Sequence, residues 1–394
     1  MAQEQISFEF ENSAEIYRSS AVESAIGELS AVADPSSRGA IFTRSEVVDF
    51  ILDLIGYNST SQLFAKRILE PSFGGGDFLL SIIRRLLGSW KKADRPKQAL
   101  TSLQNCLRAV ELHEDSFEET RASVIALLQK EGVSSKEAVA LADCWLRQDD
   151  FLLTSIDGEF DFVAGNPPYL RQEMIPDPLL KVYRRHYSTM YDRADIYVPF
   201  LERSLSLLRG NGTLGFICAD RWMKNRYGGP LRNMVHDNFH LKVVVDMVDT
   251  DAFHEDVTAY PAITIISRSK SAPTRIAYKP PICQKELSKL ARKLRSKKLS
   301  STDTHVSELA SVTDGSQPWL LDSNNDLTLL RRLEDCFPKL EEAGCRVGIG
   351  VATGADKAFI DDYDALDVEE DRKLPLAITK DLAGCTLSWT GTGV

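Results

Sequence analysis

The sequence predicts an α/β fold, a doubly wound and mostly parallel sheet of seven strands followed by the start of a smaller C-terminal domain. Three observations lead there. Short apolar runs alternate with longer amphipathic ones, a pattern that buries a parallel sheet between two helical layers. A glycine-rich turn joins an early strand to a helix at Glu70–Phe78. Chemically informative residues follow the ends of the apolar runs, where ligands sit in such sheets.

In chain order, residues 1–38 begin polar and turn helical around Ala21–Val32. The strands are expected at Ile68-Leu69, Ala109-Val110, Asp143–Leu146, Phe160–Ala164, Thr213–Cys218, Val243–Val248 and Ala262–Ile266. Phe78–Leu87 and Ile196–Leu208 read as helices between them. In the second, Ile196, Phe200, Leu201, Leu205 and Leu208 share one face, and Gly210 with Gly212 supplies the stop. The pattern fades after Ile266. The expected division is a helical extension (1–38), a main α/β domain (39–267), a basic linker and helix (268–300) and a partial second domain (301–394). Val347–Ile360 reads as glycine-rich turns with short strands.

Composition narrows the setting. The chain has 394 residues, of which 43% are apolar and 26% charged, ordinary values for a soluble globular protein. No apolar run approaches the roughly 20 residues that span a bilayer, and the acidic, polar amino terminus does not read as a secretion signal. Seven scattered cysteines without a CxxC pair point to free thiols in a reducing compartment, and against a zinc site or disulfide framework. The expectation is a cytoplasmic protein with no membrane or metal partner. The net charge of −10 is unevenly spread: Arg268–Lys298 holds eleven basic residues against Glu286, leaving about −20 elsewhere. Such a stretch can serve as a solvated helix or contact phosphates.

Four motifs carry chemistry. In Glu70-Pro71-Ser72-Phe73-Gly74-Gly75-Gly76-Asp77-Phe78, glycines permit positive φ and close backbone approach, and the helix start favours an anionic or polar group. This turn could hold an amino-acid cofactor, a dinucleotide, or nothing. Glu111 ends the next strand, where an acid can accept two hydrogen bonds from ribose hydroxyls, or simply be solvated. After the third strand, Asp150 could accept an adenine amine while Phe151 packs on the ring.

The fourth motif is the most specific: Asn166-Pro167-Pro168-Tyr169 after an apolar strand. The lone pair of an adenine or amide NH2 is delocalised, so its nitrogen is a poor nucleophile. An Asn side-chain oxygen and a backbone carbonyl can each accept one of its N–H bonds and stabilise the charge that develops. Pro167 restricts both itself and Asn166, and Tyr169 offers a face for a planar base.

Together these motifs resemble the N6-adenine DNA methyltransferases of restriction–modification systems, in the NPPY class and its type IIG-like branch. The resemblance covers roughly residues 35–360. It implies a class I S-adenosylmethionine-dependent methyltransferase fold, with S-adenosyl-L-methionine as cofactor. Thr43 in Gly39-Ala-Ile-Phe-Thr43-Arg would touch the cofactor's methionine end. Glu70, Pro71, Ser72, Gly74 and Gly76 match the principal cofactor motif, and Glu111, Asp150, Phe151 and Pro168 its remaining contacts. Asn166, Pro167, Pro168 and Tyr169 would be the catalytic set. Phe253 would lie on the other face of a flipped adenine, with Tyr260 as a rival.

Arg171-Gln172, Ala194–Tyr197, Gly215-Phe216-Ile217 and Asp220-Arg221-Trp222 also match that branch. The implied partners are double-stranded DNA and a cognate restriction endonuclease or another defence-system subunit. By the same resemblance the short segment before Thr43 is expected to leave no room for a nuclease, 39–267 would be the catalytic domain, and the recognition domain, 301–394, is expected to be truncated. Two alternatives stay open: the same chemistry on protein glutamine or RNA, and a non-catalytic cofactor- or DNA-binding subunit.

Overall fold

A computed structural model describes residues 19–32, 34, 38–93, 98–254, 260–296, 298–299, 306–310, 312–321, 329, 332–333, 336–346, 348, 356–382 and 386–394. The chain divides into two compact units, Met1–Leu327 and Thr328–Val394.

The first unit is built on nine strands: β1 (Ile68–Glu70), β2 (Leu107–Glu111), β3 (Leu146–Gln148), β4 (Phe160–Gly165), β5 (Leu208–Ala219), β6 (His240–Asp246), β7 (Pro261–Ser267), β8 (Thr274–Tyr278) and β9 (Val306–Leu309). Their spatial order is β3-β2-β1-β4-β5-β7-β6-β8-β9. The pairings from β3 through β5 are all parallel, and β7 enters antiparallel between β5 and β6. The first seven strands are the expected doubly wound sheet, and β8 and β9 extend it. Strand order reverses between β1 and β4, so the connections leaving their carboxyl ends diverge and open a crevice.

The helices are α1 (Ser20–Ser30), α2 (Ser45–Ile55), α3 (Asp77–Lys91), α4 (Ala99–Leu103), α5 (Glu114–Lys130), α6 (Ser135–Trp145), α7 (Asp177–His186), α8 (Tyr197–Ser206), α9 (Arg221–Lys224), α10 (Gly229–Asn238) and α11 (Gln284–Leu294). They cover both faces. Leu69, Val110, Val163, Leu214 and Phe216 join Leu29, Tyr183, Leu201 and Val235 in one core. Ile68, Ala109, Ala164, Ile217 and Ile265 join Ile51, Ile82, Leu141 and Leu287 in the other. Successive strand side chains point to opposite faces, so two cores form from one set of strands.

Three expectations need correction. Asp143–Leu146 is mostly the end of α6, and only Leu146 belongs to β3. Ala138, Leu141, Ala142 and Trp145 are buried at helical spacing, and the Trp145 indole N–H donates to the Leu103 carbonyl at 2.9 Å. Gly210 and Gly212 do not stop α8, which ends at Ser206, but lie inside β5. There the pairing with β4 jumps from Phe160↔Leu208 to Phe162↔Thr213. Asn211 takes a φ of 66° at this irregularity.

The third concerns residues 268–300, where the expected helix forms but a sheet strand stands in the expected linker. They contribute β8, parallel to β6, and α11, whose Leu287, Ala291 and Leu294 are buried. The same sheet continues into β9, so residues expected in a recognition domain belong to the first unit. Trp319 also does, packing edge-on against Trp222 with ring centroids 4.7 Å apart.

In the second unit, Asp361–Asp362 pairs antiparallel with Thr392–Gly393. Asp381 accepts hydrogen bonds from the Ile378 and Thr390 amides and the Thr390 hydroxyl. Of the expected turns at Val347–Ile360, residues 347 and 349–355 lie outside the described residues, and Asp356–Phe359 forms a short helix.

Candidate active site

The crevice at the β1/β4 switch is lined by Thr43, Glu70, Pro71, Ser72, Gly74, Glu111, Asp150, Phe151, Asn166 and Pro168, among others. The four sequence motifs therefore converge on one place. Each is delivered by the carboxyl end of a different strand, which is why residues far apart in sequence meet here.

The glycine turn is held from two sides. Gly74 and Gly76 take φ of 46° and 87°, and Gly76 is the N-cap of α3. The Glu111 carboxylate accepts the Gly74 amide at 2.7 Å through one oxygen, and the Leu112 and His113 amides, both at 3.0 Å, through the other. The Gly74 carbonyl accepts the Thr120 hydroxyl at 2.7 Å. Gly76 shapes the turn without lining the crevice.

Asp150 is more constrained than its sequence suggested. One oxygen accepts the Leu152 amide at 2.7 Å and the other the Tyr183 hydroxyl at 2.5 Å. Its neighbour Phe151 packs on Phe200 with centroids 4.9 Å apart, and the Arg203 guanidinium lies 5.1 Å over the Phe151 ring.

At the end of β4, the Asn166 side-chain NH2 donates to the Ile41 carbonyl at 3.0 Å and the Thr43 hydroxyl at 3.2 Å. Asn166 Oδ1 is buried and has no partner among the described residues. A carbonyl can only accept, so the nitrogen must face Ile41, leaving the oxygen as an uncommitted acceptor. Tyr169 sits 6.3 Å from Tyr197, ring to ring, and burial pushes its phenol pKa well above the ordinary range. Pro167 is buried, and neither it nor Tyr169 lines the crevice.

Residues 41–44 form a strap joining this acceptor to the chain around Phe253. Thr43 and Phe253 form an antiparallel bridge. The Arg44 amide donates to the Ala252 carbonyl and the His254 amide to the Phe42 carbonyl, both at 3.1 Å. Phe253 is buried beneath this pairing rather than on the crevice wall, whereas Tyr260 is exposed with the Arg221 guanidinium 5.5 Å over its ring.

Glu70, Asp77 and Glu111 bring their carboxyl groups together in the crevice. Burial raises the Glu70 carboxyl pKa well above its ordinary value, and the Asp77 and Glu111 charges raise it further. Glu70 Oε2 is buried without a partner among the described residues. Burial also raises the Asp77 pKa, against the lowering effects of the Thr43 amide and His254. Burial lowers the His113 pKa, although Glu111 opposes that shift. Asp77 was quoted in the glycine motif without a role, and its position at the helix start was the available signal. Tyr183 had none: it reaches Asp150 from a helix 33 residues further along.

Comparison with known proteins places this geometry in a family. The Eco57I restriction-modification methylase family matches residues 79–253. The chain is 62% identical to the type II methyltransferase M.PaeR7I of Pseudomonas aeruginosa over 358 residues, covering 91% of this chain and 62% of that protein. It is 51% identical to the type II methyltransferase M.XhoI of Xanthomonas vasicola, covering 91% of this chain and 67% of the relative. The chain thus spans about three fifths to two thirds of these relatives' length. Among solved structures, the type IIG restriction endonuclease BpuSI shares the fold, with a TM-score of 0.54 at 17% identity, over 90% of this chain and 42% of that one. With that fold and these relatives, the chain belongs to the type II methyltransferases of restriction–modification systems.

Proposed function

We propose that this chain methylates the exocyclic N6 amine of adenine in double-stranded DNA, using S-adenosyl-L-methionine, within a restriction–modification or related defence system. The observation that carries the reading is Asn166 Oδ1, a buried acceptor whose own NH2 is tied back to Ile41 and Thr43.

The cofactor would supply a methyl group on a positively charged sulfur. The crevice fits such a ligand: Glu70, Asp77 and Glu111 place carboxylates around it, and Glu70 has an unpartnered buried oxygen for a cation to face. Glu111, with both oxygens already fixed by backbone amides, is pre-oriented to accept from ribose hydroxyls. Phe151 supplies an apolar wall.

An adenine reaching this site must leave the helical stack, at a cost of a few kcal/mol. Asn166 Oδ1 then accepts one N–H of its amine, and a backbone carbonyl of the Asn-Pro-Pro segment accepts the other. Both acceptors oppose the positive charge that grows on nitrogen, without reorganising during the reaction. Tyr169 offers a ring face for the base. The partner on the opposite face would be Phe253 or Tyr260, of which Tyr260 has the exposed ring.

The test is incubation of the purified protein with radiolabelled S-adenosylmethionine and adenine-containing duplex DNA, followed by nucleoside chromatography. Label co-migrating with N6-methyl-2′-deoxyadenosine is the expected result. Label only on protein or RNA would overturn the reading.

A further inference from the structure

Resting on the reading of Asn166 as the acceptor of the target amine, we infer that Thr43 is a positioning residue that, with the Ile41 carbonyl, holds the Asn166 amide so that its oxygen meets the substrate. An Asn side chain presents an oxygen on one side and an NH2 on the other. Only the oxygen can accept from an incoming amine, and a flipped amide would oppose donor to donor. The choice is therefore made by what surrounds the amide. Here the NH2 has two acceptors, the Ile41 carbonyl and the Thr43 hydroxyl, both on the strap.

Thr43 can do this because it is itself fixed. Its side chain is buried, and its backbone amide donates to Asp77 Oδ2 at 2.8 Å. Asp77 opens α3 directly after the glycine turn. On its other edge the strap bridges Phe253, whose carbonyl accepts the Arg44 Nε–H at 3.1 Å. A chain of three groups thus runs from the cofactor crevice (Asp77) through Thr43 to the acceptor. Thr43 and Asp77 both line that crevice, so the strap ties the geometry of the acceptor to the geometry of the cofactor site.

Removing the hydroxyl in Thr43→Val keeps shape and volume but leaves one Asn166 N–H without its acceptor. The expected result is a fall of roughly 10- to 100-fold in kcat for methyl transfer, the scale of a misplaced reacting group. KM for DNA should stay within about twofold, and Thr43→Ser should restore kcat. A second readout does not depend on turnover: the side-chain NH2 resonance of Asn166, assigned by its loss in Asn166→Ala. It should shift and exchange faster with water in Thr43→Val, and return in Thr43→Ser. An unchanged Asn166 NH2 resonance in Thr43→Val would overturn the inference, whatever the activity. So would equal losses of cofactor affinity and kcat with that resonance unmoved. Failure of the native protein to methylate DNA would instead count against the proposed function, and the resonance would still decide whether Thr43 orients Asn166.

Discussion

Gly39 lies directly against the backbone of Tyr169: a Cβ on Gly39 would stand 2.6 Å from the Tyr169 carbonyl carbon. The Gly39 carbonyl also accepts the Tyr169 amide at 2.9 Å, and Gly39 takes a φ of 70°. Only glycine meets both demands without strain. The loop before the strap and the Asn-Pro-Pro-Tyr loop are therefore packed backbone to backbone. Gly39→Ala should lower stability by about 1–3 kcal/mol and reduce methyl transfer further than that loss explains, because Tyr169 must move. Calorimetry and turnover at a temperature where the variant is folded check this; unchanged turnover would contradict it.

Glu70 gives a prediction with a sign. Its folded pKa is raised above the ordinary value of 4.5 by burial and by Asp77 and Glu111. Below pH 4.5 folded and unfolded chains both hold the proton, and the group contributes nothing. As pH rises, the unfolded chain releases its proton first, so the folded state loses stability until the folded pKa is passed. Glu70→Gln should therefore raise the Tm of the ligand-free protein by an amount that is absent below about pH 4.5 and grows above it. The same change should weaken S-adenosylmethionine binding, since the bound cation would lose the carboxyl oxygen it faces. Thermal scans from pH 4 to 8 test the first claim and titration calorimetry the second.

Asp150 has an observed structural role and a proposed one in cofactor binding, which variants can separate. Asp150→Ala removes the acceptor of the Leu152 amide and the Tyr183 hydroxyl, which should cost about 1–3 kcal/mol of stability. It should also weaken cofactor binding at least tenfold, as expected of an acceptor for the adenine amine. Tyr183→Phe loses a hydrogen bond worth about 0.5–1.5 kcal/mol but leaves Asp150 in place, so affinity should hold. Equal affinity in Asp150→Ala and the native protein would make Asp150 purely architectural.

Much of this site is legible in the sequence because each motif is local. An apolar strand, a turn with special φ and an acid or Asn at the strand end all fall within ten residues. What is not legible is what ties the motifs together. Asn166 meets Thr43 across 123 residues and Thr43 meets Asp77 across 34, and no periodicity records such contacts. The basic segment misled for a related reason. Pro273 and Pro280-Pro281 read as linker punctuation, yet they flank β8, where a missing N–H costs the ladder nothing. The apolar side of α11 was outweighed by its charges, although Leu287, Ala291 and Leu294 are buried together.

The central claim is that Asn166 Oδ1 receives the target amine and leaves cofactor binding to other residues. Its most direct test is Asn166→Ala, measured for N6-methyladenine formation on duplex DNA and, in parallel, for S-adenosylmethionine affinity by calorimetry. The account predicts a loss of transfer of at least about 100-fold, the scale for one preorganised polar group, with Kd essentially unchanged. Retained transfer, or equal losses of transfer and affinity, would contradict it.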